Sequence, residues 1–338
     1  METRKVQVTG GSSYIVTLPK NWVKSVNLKK NDPLGLIINP DGTLFIIPNI
    51  TDEHTQKTKE FDIEIVNEPS YLFRCLIGSY IAGDTTIKIK SSGKMPSFAG
   101  MIARKFTRAT IGQEVVEETD RLITIKDLLD PAEMPFNKTI ERMNILVKNM
   151  HEDVITALRN RDKKLAEDVI VRDTEVNRLH WLVARQYNMI SKRVKFSEKT
   201  NIDLATAANY FLISRIIERI GDHAVRIAKN VLNLINKRTD KKIIDHIKSA
   251  SELSVSIFNK SVESFFKKEL RNSNENIESV RKLETLCEEI NNLALEQRGG
   301  TAMAIGYIVE SVRRTGEYSQ DICENVINYL VGQGKGAA

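Results

Sequence analysis

Hydrophobic and polar positions alternate along the first fifty residues and again between residues 61 and 130. Beyond about residue 136 the period changes to that of helices and never changes back. KVQVTGG (5–11) alternates and turns at Gly10-Gly11, and SSYIVTLP (12–19) alternates again, with Tyr14, Val16 and Leu18 on one face. Pro19 ends that run and opens a short helical turn, KNWVKSVNL (20–28). PLGLIINPDGTLFIIP (33–48) then reads as two apolar strands around Asp41-Gly42, a strong hairpin signal. A segment of fifty residues with so little apolar surface to bury seldom stands alone, so the pattern predicts that residues 1–50 dimerise by intertwining two chains.

Residues 58–132 form a second unit. FDIEIV (61–66) and TTIKIKS (85–91) predict strands, and QEVVEETDRLITIKDLL (113–129) one or two more. PSYLFRCLIGSYIAG (69–83) and SFAGMIARKFTRATIG (97–112) predict helices, the first with Leu72, Leu76, Ile77 and Tyr80 on one face. The expected arrangement is a small α+β sandwich with its helices on one face of the sheet. Arg104, Lys105 and Arg108 on the second helix read as a solvated face, with phosphate contact the alternative.

Six helical patterns follow in two sets of three. The first set, within residues 136–237, begins at 136, 165 and 204; the charged linker NKRTDKK (236–242) separates it from a second set within 241–333. Laying IIERIGDHAVRIAKNV (216–231) over SVRRTGEYSQDICENV (311–326) aligns Asn230-Val231 with Asn325-Val326 and Ile227 with Ile322, an offset of 95 residues. The matched helix order predicts an internal duplication: two three-helix bundles side by side.

The third helix carries the feature with chemical content. At about 100° per residue, Ile213, Ile216, Ile217, Ile220, Ala224, Ile227, Ala228 and Val231 fall on one stripe, the predicted core face. Glu218 and Asp222 fall on nearly the opposite side, with Gly221 between the two faces. Like charges four residues apart repel. Either Arg219 and Arg226 neutralise them through i,i+3 and i,i+4 pairs, or the carboxylates ligate a hard or borderline cation. Similar pairs recur: Asp173 and Asn177 on the preceding helix, Glu284 and Glu288 on its counterpart in the second set, and Glu317 and Asp321 on the last helix. His223 and His180 read as a polar surface residue and a helix-face residue, not as ligands.

Composition narrows the class. The chain is 41% hydrophobic, enough for a sizeable core, and its 50 basic against 44 acidic residues leave +6, which permits nucleic-acid contact without demanding it. Cys75, Cys287 and Cys323 are sparse and lack CxxC spacing, which points to a reducing compartment. No apolar run approaches the ~20 residues that span a bilayer, and METRKVQVTGG lacks a signal-peptide core, so a cytoplasmic protein without membrane insertion is expected. There is no GxxxxGK[ST], HExxH or GxSxG pattern. The expectation is a binding or regulatory protein, not an enzyme.

Two resemblances sharpen it. LISRIIERIGDHAVRIAKNV (212–231) resembles the PhoU family of phosphate-uptake regulators, whose LERIGDxAxxI helix recurs in two three-helix repeats; Ile217-Glu218-Arg219-Ile220-Gly221-Asp222 carries the match. The resemblance covers about residues 137–333 and is weak in the second repeat, where Arg313 stands at the place of Glu218 and Glu317 at that of Asp222. It implies divalent or ferric metal ions on the acidic helices, held by Glu218, Asp222, Asp173 and Asn177, and in the second repeat by Glu284, Glu288, Glu317 and Asp321. It also implies a phosphate-transport or signalling protein as partner. Residues 4–48, with the pattern I-V-x-L-P-K followed by L-x-x-x-D-x-L and a hairpin, resemble the AbrB/SpoVT/MazE swapped-hairpin domain. That implies a homodimer through this domain, and in many members DNA binding, for which Arg4, Lys5, Lys20 and Lys24 are the basic side chains at hand. The combination resembles archaeal PhoU-like regulators with an AbrB-type N-terminus. The fold class expected is therefore mostly α: two PhoU-like three-helix bundles, preceded by a small β domain and a small α+β segment. The alternative is an AbrB-type transcription factor for unrelated targets, its bundles serving as an assembly platform.

Overall fold

Capping and turn residues set where the chain changes element. The computed structural model of the protein describes residues 2–38, 42–48, 57–192, 194–297 and 299–334. It divides into two units, residues 1–56 and 57–338.

In the first unit β1 (Gln7–Thr9) pairs antiparallel with β2 (Ser13–Ile15), and β3 (Gly35–Ile38) with β4 (Leu44–Ile47), on either side of the short helix α1 (Lys20–Ser25). The strands flank the turns that the sequence predicts, although the Asp41 half of the Asp41-Gly42 turn lies outside the described residues. β2 stops at Ile15, so the predicted strand through Leu18 is shorter than its alternation suggests. None of the described residues of this unit is buried. Val8, Tyr14, Leu36, Ile38 and Phe45 are all more than half exposed. A single copy thus gives this segment no interior.

The second unit opens with a four-stranded sheet of order β5-β6-β8-β7: β5 (Thr58–Asp62), β6 (Thr86–Lys90), β7 (Gln113–Glu118) and β8 (Leu122–Asp127). β5 and β6 are parallel, joined through α2 (Pro69–Ala82); β8 pairs antiparallel with β6 and β7, with an irregularity at Val115/Glu117. Alternation places Ile87, Ile89, Ile123 and Ile125 on one face, fully buried under α2 and α3 (Ser97–Ala109) with Leu72, Leu76, Tyr80 and Phe106. This is the sandwich expected from the sequence.

Six long helices build the rest: α4 (Phe136–Asn160), α5 (Lys163–Lys192), α7 (Leu204–Leu234), α8 (Lys241–Lys267), α9 (Leu270–Ala294) and α10 (Gly300–Gly332). Asp203 caps α7 by accepting from the Thr206 amide at 2.8 Å, and Asp240 caps α8 by accepting from the Lys242 amide at 2.9 Å. Between α5 and α7 lies a short helix the periodicity did not predict, α6 (Val194–Thr200). Helices α4, α5 and α7 pack as one bundle and α8, α9 and α10 as the second; α7 lies along α10 and α4 along α8.

The duplication shows in the packing. Gly221 on α7 and Gly316 on α10 are equivalent at the 95-residue offset, and both are buried against the second helix of their own bundle. A Cβ at Gly316 would overlap Leu283 Cδ2, and one at Gly221 would touch Val147 and Val176 at 3.4 and 3.5 Å. Gly costs about 1 kcal/mol of helix propensity relative to Ala; the overlap with Leu283 accounts for it at Gly316, whereas a Cβ at Gly221 would make only ordinary contacts.

The α+β layer sits on α5. Arg185, 1% exposed, donates to the carbonyls of Tyr80 (2.5 Å) and Asp84 (3.1 Å) and to Asp127 Oδ2 (2.6 Å), and lies 4.8 Å from the Tyr80 ring. Trp181 one turn earlier meets Phe73 edge-on at 6.3 Å, and Gln186 donates to the Pro131 and Met134 carbonyls at 2.7 Å.

Candidate cation site and the seam between repeats

Helix α7 brings Glu218 and Asp222 opposite Asp173 and Asn177 of α5. Asn177 Nδ2 donates to Asp173 Oδ2 at 2.8 Å and to its backbone carbonyl at 3.1 Å, while Asp173 Oδ1 is buried without a hydrogen-bond partner. Gly221 lies beside this oxygen: a Cβ there would stand 3.7 Å from it, in ordinary contact. Burial, and then the charge of Asp222, push the Asp173 carboxyl up to about 6. Glu218 is raised chiefly by burial, against the pull of Arg215, with Asp222 and Asp173 adding to the rise. The three acids therefore sit within electrostatic reach of one another.

These oxygens are the donor type a hard cation takes. They are not gathered into a finished ligand set, because among the described residues no three His, Cys, Asp or Glu side chains group closely enough to hold a metal ion. What the chain supplies is one orphaned carboxylate oxygen and mutual repulsion, both of which a cation would relieve.

Glu218 does not project away from the core as the helical rotation predicts. It is 8% exposed, and only Asp222 is on the surface. The rotation assumed one covered face, whereas α7 is packed by α4, α5 and α10. The expected neutralising pairs are also different. Arg215 holds Glu218 at 3.0 Å, while Arg219 lies over the Tyr318 ring, 5.8 Å from its centroid. Arg226 makes no ion pair among the described residues.

His223 is not the surface residue that its place on the helix flank suggests. His223 is buried at 7% exposure, 5.6 Å from the Tyr318 ring, with Nδ1 unpartnered and its pKa pushed down to about 4 by burial and then by Arg226. His180 is buried too, stacked on Phe211, with Nδ1 3.0 Å from Ser214 Oγ. Ser214 spends its own hydrogen on the Phe211 carbonyl, so His180 Nδ1–H is the donor in that contact.

His223 and Tyr318 are themselves equivalent at the 95-residue offset, as are Arg219 and Arg314. Two copies of one position thus touch across the α7–α10 seam. Around them the duplication inverts charge: Arg215, Glu218 and Arg226 correspond to Glu310, Arg313 and Asp321. The inversion changes the second set of acids. Glu317 is taken by Arg313 and by Arg314 (2.9 Å), and Glu310 by both arginines at 2.8 and 3.0 Å. Glu284 and Glu288 are exposed on α9, and Asp321 is exposed, with burial and Glu324 raising its pKa against Arg219. The glycine of this repeat faces Leu283, where its counterpart faces Asp173. In the second repeat Glu310 and Glu317 are taken up by arginines, while Glu284, Glu288 and Asp321 make no ion pair among the described residues. Arg4, Lys5, Lys20 and Lys24 are all exposed in the first unit, Arg4 pairing with Glu2.

Residues 140–231 match the family model of the PhoU domain. These residues, from α4 into α7, are similar to that domain. Residues 7–53 match the model of the MazE antitoxin, described as antidote-toxin recognition. The phosphate-specific transport system accessory protein PhoU of Edwardsiella tarda is 23% identical over 210 residues, covering 60% of this chain and 84% of that protein. An uncharacterized protein of Methanocaldococcus jannaschii is 25% identical over 214 residues, covering 62% and 67%. The crystal structure of the phosphate transport system regulatory protein PhoU from Streptococcus pneumoniae superposes with a TM-score of 0.52 at 18% identity, over 58% of this chain and 94% of that one. PhoU from Pseudomonas aeruginosa gives 0.51 at 18% identity over 58% and 96%. The PhoU fold therefore extends beyond the matched first repeat. The 57–130 layer is a further domain set upon α5.

Proposed function

We propose that this protein is a cytoplasmic regulator of phosphate uptake and intracellular phosphate homeostasis, acting on a phosphate-transport or signalling protein and not as an enzyme. The observation that carries this reading is the pair of three-helix bundles, whose first repeat matches the PhoU domain and whose fold is that of PhoU structures. No helix among the described residues is long and apolar enough to cross a membrane, so the chain would reach a transporter as a docked partner. Loss of the gene is expected to alter phosphate uptake and polyphosphate content; unchanged uptake and transcription at every phosphate level would sink the reading.

Cation binding at Asp173, Asn177, Glu218 and Asp222 belongs to this proposal. Its support is the buried, unpartnered Asp173 oxygen and the Asp173 and Glu218 carboxyls, raised by burial and then by neighbouring acids. Elemental analysis of purified protein is expected to find a divalent or ferric ion in near-stoichiometric amount, lost in Glu218→Ala/Asp222→Ala. Equal metal content in the two proteins would remove the assignment.

Residues 1–50 would serve as a dimerisation element, since one copy buries none of its described side chains and leaves a row of apolar ones exposed. The MazE match and the exposed Lys20 and Lys24 favour DNA contact through phosphates. Each phosphate contact adds about 0.9 to the slope of log K against log salt, so Lys20→Ala/Lys24→Ala is expected to flatten that slope by roughly 2. An unchanged slope would leave the segment a dimerisation element alone.

A further inference from the structure

The groove between α4 and α8 lies outside the acid cluster and the α7–α10 seam, and it has a volume of about 510 Å³. The two helices line it with one pattern used twice. Lys148, Glu152, Ile155 and Thr156 on α4 are each followed one hundred residues later by Lys248, Glu252, Val255 and Ser256 on α8. The spacing 0, 4, 7, 8 thus recurs on the two helices along which the bundles meet.

The floor and the rim differ in kind. Ile155 and Val255, 6% and 5% exposed, form an apolar floor with Ser251 between them at 3%. The Ser251 and Ser256 hydroxyls line the groove and donate no hydrogen bond among the described residues. On the rim the glutamates are already compensated: Lys148 lies 3.7 Å from Glu152, Lys248 3.4 Å from Glu252, and Lys267 2.5 Å from Glu263. Arg159 and Lys260 are left with no ion pair among the described residues. The groove therefore offers an apolar strip, free hydroxyls and two cations outside any ion pair, Lys260 lying close enough to Glu263 to help hold its carboxyl below the ordinary value. Its volume falls in the range of roughly 300–1,000 Å³ that suits small-molecule ligands and is far larger than one inorganic anion needs.

We propose that this groove binds a nucleoside phosphate, with the base on the Ile155–Val255 floor, the sugar against the Ser251 and Ser256 hydroxyls, and the phosphates at Arg159 and Lys260. The ligand is an organic anion by charge complementarity. A phosphate is preferred because a guanidinium fork and an ammonium together match its oxygens. The site is separate from the acid cluster, and its test does not depend on phosphate transport.

Calorimetric titration of the full-length protein with ATP, ADP, AMP, adenosine, inorganic phosphate and tripolyphosphate decides the matter. A saturable nucleotide isotherm at one per chain is expected, with adenosine and inorganic phosphate weaker by about ten-fold or more, because each supplies only half of the contacts. Arg159→Ala and Lys260→Ala should each weaken the nucleotide about ten-fold without moving the unfolding midpoint. Ser256→Trp should abolish binding by filling the groove. Absence of saturable nucleotide binding up to about 1 mM would overturn the proposal. So would a nucleotide affinity indifferent to the Arg159 and Lys260 variants, or tripolyphosphate binding as tightly as ATP, since the floor would then contribute nothing.

Discussion

Replacing Arg185 with methionine is expected to cost roughly 3–5 kcal/mol of stability, the usual consequence of removing one partner of a buried ion pair. The guanidinium is 1% exposed, and the Asp127 side chain it holds at 2.6 Å is 7% exposed. Burial raises the Asp127 carboxyl above its ordinary value and Arg185 opposes that rise, so without the arginine this carboxylate is stranded. The carbonyls of Tyr80 and Asp84 lose their donor at the same time. Because these partners belong to the α+β layer and Arg185 to α5, the variant should loosen the layer from the bundle before the bundle melts. Urea unfolding should show a lowered midpoint, and limited proteolysis should cut near residues 130–135 faster than in wild type. Arg185→Met/Asp127→Leu should recover part of the loss, since a matched apolar replacement removes the stranded charge. A single variant with wild-type midpoint and cleavage rate would mean the contact is not what joins the two parts.

Acidification is expected to weaken the fold through His151 and His180. His151 is fully buried in α4, its Nε2–H donating to the Ile220 carbonyl at 3.0 Å, and burial pushes its pKa down to about 4; His180 is likewise pushed down to about 4 by burial and then by Arg215. Both are bases with a folded pKa below the unfolded value of about 6.5. Between pH 6.5 and 4 the unfolded chain therefore binds more protons than the folded one. Stability is fully present above about pH 6.5 and falls as pH drops through that window, by up to about 3 kcal/mol for each histidine. Asp173 works in the opposite sense, because its pKa is raised to about 6 and the folded form holds the extra proton as pH falls. Glu218, Asp127 and Asp321, each raised chiefly by burial, act in the same sense as Asp173, while His223, pushed down to about 4, acts with the two histidines, so the share of His151 is read by comparing a variant with wild type. In His151→Gln the amide can still donate to the Ile220 carbonyl but does not titrate. Its urea midpoint should fall less steeply than wild type's from pH 6.5 to 4, and parallel profiles would rule out His151 as a source of acid lability.

The helical two-thirds of the fold was legible in the sequence because each long helix repeats its apolar stripe many times. Even the duplication was visible, in Asn230-Val231 over Asn325-Val326 and in the glycine six residues before the shared isoleucine. α6 was not, being seven residues with too few turns to establish a period. The acid cluster was half legible. ExxxD and DxxxN marked residues that the fold brings face to face on α7 and α5, but the burial of Glu218, and that of His223 beside Tyr318 of α10, depends on the neighbouring helices, which helical rotation of one segment cannot report. Arg185 was read over for a similar reason: an arginine in VARQY looks like solvated decoration until α2 and β8 close upon it. A signal existed in Trp181 and Met189, one turn to either side, which mark that face of α5 as covered. The groove between α4 and α8 was also present in the text, as KxxxExx[IV][TS] repeated at one hundred residues, a different offset from the one that aligns α7 with α10.

The central claim, regulation of phosphate uptake by the paired bundles, is tested most directly by the initial rate of radiolabelled phosphate uptake across a range of external phosphate. The comparison is between cells that carry the gene, cells that lack it, and cells complemented with the full chain. The account predicts that the dependence of rate on external phosphate differs without the chain and returns to the parental curve on complementation. Superimposable curves in all three would contradict it.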